Sequence, residues 1–158
     1  MKQWIINLLR WGLGLLFIAT AIGKLLDNRG FAGVLNSYQL FPSSTTLVLG
    51  VIFSLAELFL GIELLRRYRT IWAAWGIFAM NLGYTFLAIM TNLRGLKLDN
   101  CGCFGVFWAR PMTWNTALED SVLTLLSLTL CVVIQFQNST QRVLKDSDKR
   151  TISSVLGG

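Results

Sequence analysis

Four stretches of about twenty apolar residues constrain this chain most, because a bilayer core needs about 20 such residues per helix. They are Trp4–Leu26, "WIINLLRWGLGLLFIATAIGKLL"; Thr45–Leu65, "TTLVLGVIFSLAELFLGIELL"; Ile71–Asn92, "IWAAWGIFAMNLGYTFLAIMTN"; and Ala117–Gln137, "ALEDSVLTLLSLTLCVVIQFQ". In hydrocarbon every backbone polar group must be satisfied within its own segment, so runs of this length read as membrane helices. The spans use over half of the 158 residues and leave no room for a second domain. The expected fold is therefore all-α, a four-transmembrane-helix bundle over residues 1–137. Residues 138–158, polar and of mixed charge, read as a flexible cytoplasmic tail. "ATA" at 19–21 imitates a signal-peptide cleavage site, but the apolar run continues past it and Arg10 interrupts the run before it. The first span is read as a retained helix.

Only 14% of the residues are charged, against roughly 25% in soluble domains. There is no histidine, which removes the commonest general base and the commonest zinc ligand. The net charge of +6 is read as loop charge facing the cytoplasm, not as a nucleic-acid surface. Lys2, Arg66, Arg67, Arg69, Arg142, Lys145, Lys149 and Arg150 fall on one side of the four spans; Arg29, Arg94, Lys97 and Arg110 fall on the other. The positive-inside rule puts the richer side, with both termini, in the cytoplasm. The expected setting is the inner membrane of a bacterium, with the lipid bilayer as a partner. Trp4, Trp72, Trp108 and Trp114 fall near span ends, as an aromatic belt requires.

The loop between the third and fourth spans then faces outward, and it reads "DNCGCFG", residues 99–105. An extracytoplasmic compartment lets disulfides persist. Cys101 and Cys103 at i and i+2 offer three readings. A reversible disulfide would be small, strained and oxidising, with Gly102 supplying the backbone angles. Lys97 or Arg110 would lower a thiol pKa, and Asp99 would raise it. A soft-metal site, for Cu, Zn or Hg, would use both thiolates as ligands, but one pair does not fill a tetrahedral site. The third reading is a structural bond or idle thiols in a turn. Cys131 lies roughly 15–20 Å below the loop and reads as a small buried hydrophobe.

The first outward loop carries "FAGVLNSYQLFP", with Phe31, Leu35 and Tyr38 at helical spacing beside Val34 and Phe41. This is the pattern of a short amphipathic interfacial helix that could roof the bundle next to the cysteines, ended by Pro42. Ionisable groups inside spans are functional candidates, since each costs at least about 2.5–3.5 kcal/mol to insert. With the first two spans set flush at their inner ends, Arg10 lies about 9 Å and Glu57 about 12 Å from the inner boundary. The expectation is a structural Arg10–Glu57 ion pair. Lys24 and Asp120 are expected to form a charged floor under the thiols, with Lys24 stabilising a thiolate and Asp120 holding Lys24 or carrying a proton. Asn81 and Tyr84 read as interhelical hydrogen-bond partners rather than quinone ligands.

"GLLFIATAIGKLLD" in span one, "LAELFLGIELL" in span two, "NCGCFG" in the loop and "TWNTALEDSVL" at the start of span four resemble the MauE/DoxX-like membrane proteins, specifically the methylamine-utilisation MauE branch. The resemblance covers most of residues 8–137. It implies a four-helix bundle with a periplasmic thiol pair, linked to a thioredoxin-fold partner and to disulfide formation or maturation of an exported thiol protein. The function expected is a thiol–disulfide oxidoreductase cycling Cys101 and Cys103. Turnover would need an electron acceptor, for which a membrane quinone is the obvious cofactor, although no residue pattern marks a quinone site. The rival from another class is soft-metal-ion binding or transport. A third is a membrane chaperone that docks a thioredoxin-like partner with the disulfide as a brace.

Overall fold

The computed structural model describes residues 3–66, 70–105 and 109–156, with side chains as far as Thr140. Lys2, Arg67, Arg69 and Trp108, and the side chains of Arg142, Lys145, Lys149 and Arg150, lie outside the described residues. Among the described residues every regular element is a helix: α1 Gln3–Leu26, α2 Asn28–Ser37, α3 Thr46–Arg66, α4 Thr70–Leu93 and α5 Trp114–Leu156. Four of them, α1, α3, α4 and the Trp114–Thr140 part of α5, are long and apolar enough to cross a membrane. This is a multi-pass membrane protein.

The side chains are sorted as lipid solvent demands. Leu8, Leu15, Phe59, Trp72, Phe86, Leu125 and Phe136 face outward and are exposed, while Ala73, Ala74, Ala88, Ser54 and Ser127 are buried between helices. Small interior residues let backbones approach, because hydrocarbon gives apolar side chains no reason to turn inward. Polar groups in the interior pair across helices: Thr85 and Thr124 hydroxyls at 2.9 Å, and Asn81 Nδ2 donating to Ser127 Oγ at 3.4 Å. Asn81 is thus an interhelical partner, as expected. Cys131 is fully buried in an apolar cluster with Leu13, Phe17 and Leu130, also as expected.

α1 packs along α3 and α4 along α5, and α3 joins the two pairs. The α1–α3 register is set where Gly14 meets Gly61. A Cβ on Gly61 would sit 2.9 Å from the Gly14 carbonyl oxygen and 2.9 Å from Ile18 Cγ1. Gly14 lies about ten residues from the N-terminal end of its span and Gly61 about four from the C-terminal end of its own, so the helices are offset by roughly 9 Å from the flush alignment. That offset lifts Glu57 away from Arg10 and towards Lys24.

α2 forms from the expected amphipathic stretch. Asp27 caps it, its Oδ1 accepting from the Gly30 N–H at 2.8 Å. Phe31, Ala32, Leu35 and Tyr38 are buried. The helix stops at Ser37, before Pro42, where Gln39 takes a left-handed φ of 55°; Phe41 is exposed. α5 differs from expectation at its far end. The segment after 137, expected as a flexible cytoplasmic tail, continues the helix to Leu156. It holds no proline, and no glycine before 157, to stop it.

Candidate functional site

The loop between α4 and α5 is built around its glycines. Gly102 and Gly105 have φ of +75° and +72°, a region that side chains disfavour. Asn100 Oδ1 accepts from the Gly102 N–H at 2.9 Å, and Asn100 Nδ2 donates to the Gly105 carbonyl at 3.1 Å. This Asx turn folds the thiols back on one another. Asn100 had no role in the sequence reading, although an Asn two residues before a glycine is a turn signal that could have found it.

Three elements clamp the turn. A Cβ on Gly105 would lie 2.6 Å from the Gly23 carbonyl oxygen of α1. A Cβ on Gly102 would meet Val34 at 2.9 Å and Phe31 at 3.1 Å on α2, so α2 does roof the cysteines. The Tyr38 hydroxyl donates to the Cys101 carbonyl at 2.6 Å, and the Cys101 N–H donates to the Arg110 carbonyl at 2.7 Å. Burial raises the Tyr38 phenol pKa well above its ordinary value, with the two cysteines adding to it. Tyr38 therefore acts here as a neutral donor.

The Cys101 and Cys103 sulfurs are 3.0 Å apart as free thiols. A covalent bond at about 2.05 Å needs only a small closure. Their environments push them apart in acidity. A hydrogen bond from Cys103, working against burial, brings Cys101 down to about 7. The same bond, together with burial, holds Cys103 well above its ordinary value. At neutral pH Cys101 is thus about half thiolate, beside a Cys103 thiol. Of the two cations expected to act on it, Arg110 lowers the Cys101 pKa, while its guanidinium pairs with Glu119 at 2.8 Å. Asp120 opposes ionisation of both cysteines. Cys101 is nearly closed off, whereas Cys103 is half-buried.

This asymmetry gives an expected result. Iodoacetamide should modify Cys101 with a rate that is half-maximal near pH 7 and falls about tenfold per unit below it. Cys103 should stay slow across that range. Alkylation followed by peptide mass spectrometry from pH 5 to 9 checks it, and equal profiles for the two thiols would contradict the asymmetry.

Beneath the thiols lies a charged cluster that departs from the expected pairs. Glu57 does not pair with Arg10. Its Oε1 accepts from Lys24 Nζ at 2.5 Å and from the Tyr84 hydroxyl, and its Oε2 accepts from Thr20 at 3.4 Å. Lys24 and Glu57 are 1% exposed each, so both charges depend on this pairing. The physical reason is twofold. The Gly14–Gly61 contact offsets the helices, and side chains lean towards the N-terminus of their own helix. α1 and α3 run in opposite directions, so Lys24 and Glu57 lean towards each other. Arg10 instead lines a separate polar cleft at the other end of the bundle with Asn7, Thr70 and Gln137.

The expected Lys24–Asp120 contact is replaced in the same way, since Lys24 is engaged by Glu57. Asp120 is buried nearby, and both charges reach Cys103, Lys24 lowering its pKa and Asp120 raising it. Lys24 Nζ also sits over the Tyr84 ring at 5.0 Å and the Phe31 ring at 5.3 Å. Thr20 and Tyr84 thus belong to the cluster. Thr20 was not singled out in the sequence, because a lone threonine in an apolar span looks ordinary.

Cys101, Cys103, Lys24, Glu57, Tyr84 and Asp120 all line one cavity of about 540 Å³, whose remaining wall is mostly apolar. Among the described residues no group of three or more Cys, Asp and Glu is placed to enclose a metal ion.

The family described as "Methylamine utilisation protein MauE" matches residues 2–133. The chain belongs to the MauE family. It is 30% identical over 122 residues to the methylamine utilization protein MauE of Paracoccus denitrificans, covering 77% of this chain and 66% of that protein. It is 31% identical over 121 residues to the MauE of Paracoccus versutus, covering 76% and 64%. The match thus spans just under two thirds of these relatives' length. No solved structure matches the chain.

Proposed function

We propose that this MauE-family protein is a membrane thiol–disulfide oxidoreductase whose working group is the Cys101–Cys103 pair. The observation that carries it is the pair itself: two sulfurs 3.0 Å apart in a turn clamped by α1 and α2, one of them acidified. The reading sets the protein in a bacterial inner membrane with both termini cytoplasmic and the thiol loop in the periplasm, from the Lys and Arg distribution. The partner is a thioredoxin-fold protein or an exported thiol protein. The process for which the relatives are named, methylamine utilisation, is proposed as the setting.

In the oxidising direction a partner thiolate attacks Cys103, the more exposed sulfur, and Cys101 leaves as the more stable thiolate. A low-pKa thiol is the better leaving group. A second partner thiol then displaces Cys103, and the partner gains the disulfide while the pair becomes a dithiol. Atoms and electrons balance: two electrons enter the pair and two thiol protons leave the partner.

The test is the redox state of the pair in purified protein, read with a mass-shifting thiol label across glutathione buffers, with metal content read on the same sample. The expected outcome is a reversible two-electron transition without bound metal. Reduced thiols carrying one copper or zinc per chain would replace this reading with soft-metal binding. A bond that resists reduction throughout would make it a structural brace.

A further inference from the structure

We infer that the cavity between the thiols and the Lys24–Glu57 pair binds the head group of a membrane quinone, which takes the electrons of the Cys101–Cys103 dithiol. This rests on the redox reading above and supplies the acceptor that reading lacks. Three observations point to this ligand class. The first is size and polarity: about 540 Å³ lies within the roughly 300–1,000 Å³ of small-molecule sites, which are apolar with a few placed polar groups.

The second is access. Leu118 and Val122 of α5 line the cavity and are 64% and 55% exposed. α1 and α5 touch little compared with the α1–α3 and α4–α5 pairs. The cavity therefore meets the lipid-facing surface, through which a ligand with a polyprenyl tail can enter while the tail stays in hydrocarbon.

The third is chemistry at the buried wall. Asn81 is spent on Ser127 and Tyr84 on Glu57. Lys24 is not fully spent: an ammonium carries three donors, and among the described residues Nζ donates to Glu57 alone. A buried cation with donors to spare suits a quinone carbonyl, whose oxygen gains negative charge as it is reduced. A lipid acyl chain, the other molecule that could fill an apolar gap, has no use for it. Cys103 and Lys24 both line the cavity, which places the electron source and the carbonyl partner in one site.

The step balances. The Cys101 thiolate and the Cys103 thiol form one S–S bond and give up two electrons. The Cys103 proton and one further proton from water go with those electrons to the two quinone oxygens, giving a quinol.

The experiment uses the full chain in nanodiscs of synthetic phosphatidylcholine free of quinone, reduced, desalted and kept anaerobic. Decylubiquinone is added, disulfide is counted with a mass-shifting label, and quinol is read from absorbance. One quinol per disulfide is expected, with a rate that saturates in quinone. Lys24→Met should raise the half-saturating concentration at least tenfold. Because that variant disturbs a buried pair, Val122→Trp serves as the second: the position faces lipid, and the larger side chain narrows the opening with the same tenfold effect. A photoreactive azidoquinone should label peptides containing residues 81–87 or 118–123, suppressed by excess decylubiquinone. A pair that titrates with glutathione but yields neither quinol nor suppressible label overturns the quinone site and leaves the redox reading standing. Oxidation that is linear in quinone and indifferent to Val122→Trp is bulk chemistry and also overturns the site. A pair that does not titrate with glutathione removes the redox reading and this inference with it.

Discussion

Cys101→Ser and Cys103→Ser should each lower thiol–disulfide turnover by about a thousandfold or more, the scale on which loss of a covalent participant is felt. They should fail in different ways. In Cys101→Ser the remaining Cys103 can still attack the disulfide of an oxidised partner and release one partner thiolate, but the group that would expel the partner again is gone. The resulting mixed disulfide should accumulate and run as a higher-mass band in non-reducing gels of whole cells. In Cys103→Ser the remaining Cys101 is almost closed to solvent, 6% exposed under Tyr38 and α2, and should hold little partner. Its alkylation midpoint should stay near 7, because a serine hydroxyl at position 103 can still donate to the Cys101 thiolate. Cys103→Ala, which removes the donor, should raise it. The same mixed disulfide in equal amount from both variants would reject the assigned roles. Full turnover in both would reject the redox reading outright and favour a docking protein whose cysteines brace a loop.

The fold was legible in the sequence because lipid imposes a strong rule on composition. A run of about twenty apolar residues has few alternatives in a bilayer, and the observed spans begin and end within three residues of the expected ones wherever the apolar run itself ends. The helix α2 was legible for the same kind of reason: Phe31, Leu35 and Tyr38 recur at helical period and all three are buried. The thiol turn announced itself through two cysteines and two glycines in five residues. The pairing of charges was not legible. Hydropathy gives each helix its length but not its offset from a neighbour, and here one glycine contact, Gly14 against Gly61, moves two helices by more than a turn. Pairing also depends on side-chain direction, which a count of backbone heights ignores. Arg10 and Glu57 were close by height, while Lys24 and Glu57 meet because each side chain leans towards the other. The cavity was invisible for a third reason. It belongs to no element, and it arises where α1 and α5 fail to close against each other beneath the roof formed by α2.

The Lys24–Glu57 pair carries the second large prediction. Lys24→Met should lower unfolding stability in mixed micelles by about 3–5 kcal/mol, because it leaves the Glu57 carboxylate buried without its cation. Glu57→Gln should cost a similar amount by stranding the ammonium. The double variant Lys24→Met/Glu57→Gln should regain most of the loss, since neither charge is then left unpaired, the glutamine carbonyl still accepts from Tyr84, and its amide N–H can donate to the Thr20 hydroxyl oxygen. Removing both members of a buried pair is often near neutral, whereas removing one is not. A cycle of this kind separates coupling from mere burial. It also decides between the two partners considered for Glu57. Arg10→Met combined with Glu57→Gln should be additive, since Arg10 lines a cleft at the other end of the bundle. Additivity in the Lys24 cycle, or strong coupling in the Arg10 cycle, would show that Glu57 is not held by Lys24. The charged floor under the thiols would then have to be rebuilt around Arg10. If the cycle behaves as expected, the double variant becomes useful in its own right. It keeps the bundle folded while removing the ion pair from the cavity wall, so any change in quinone dependence reports the loss of that pair's charges rather than loss of structure.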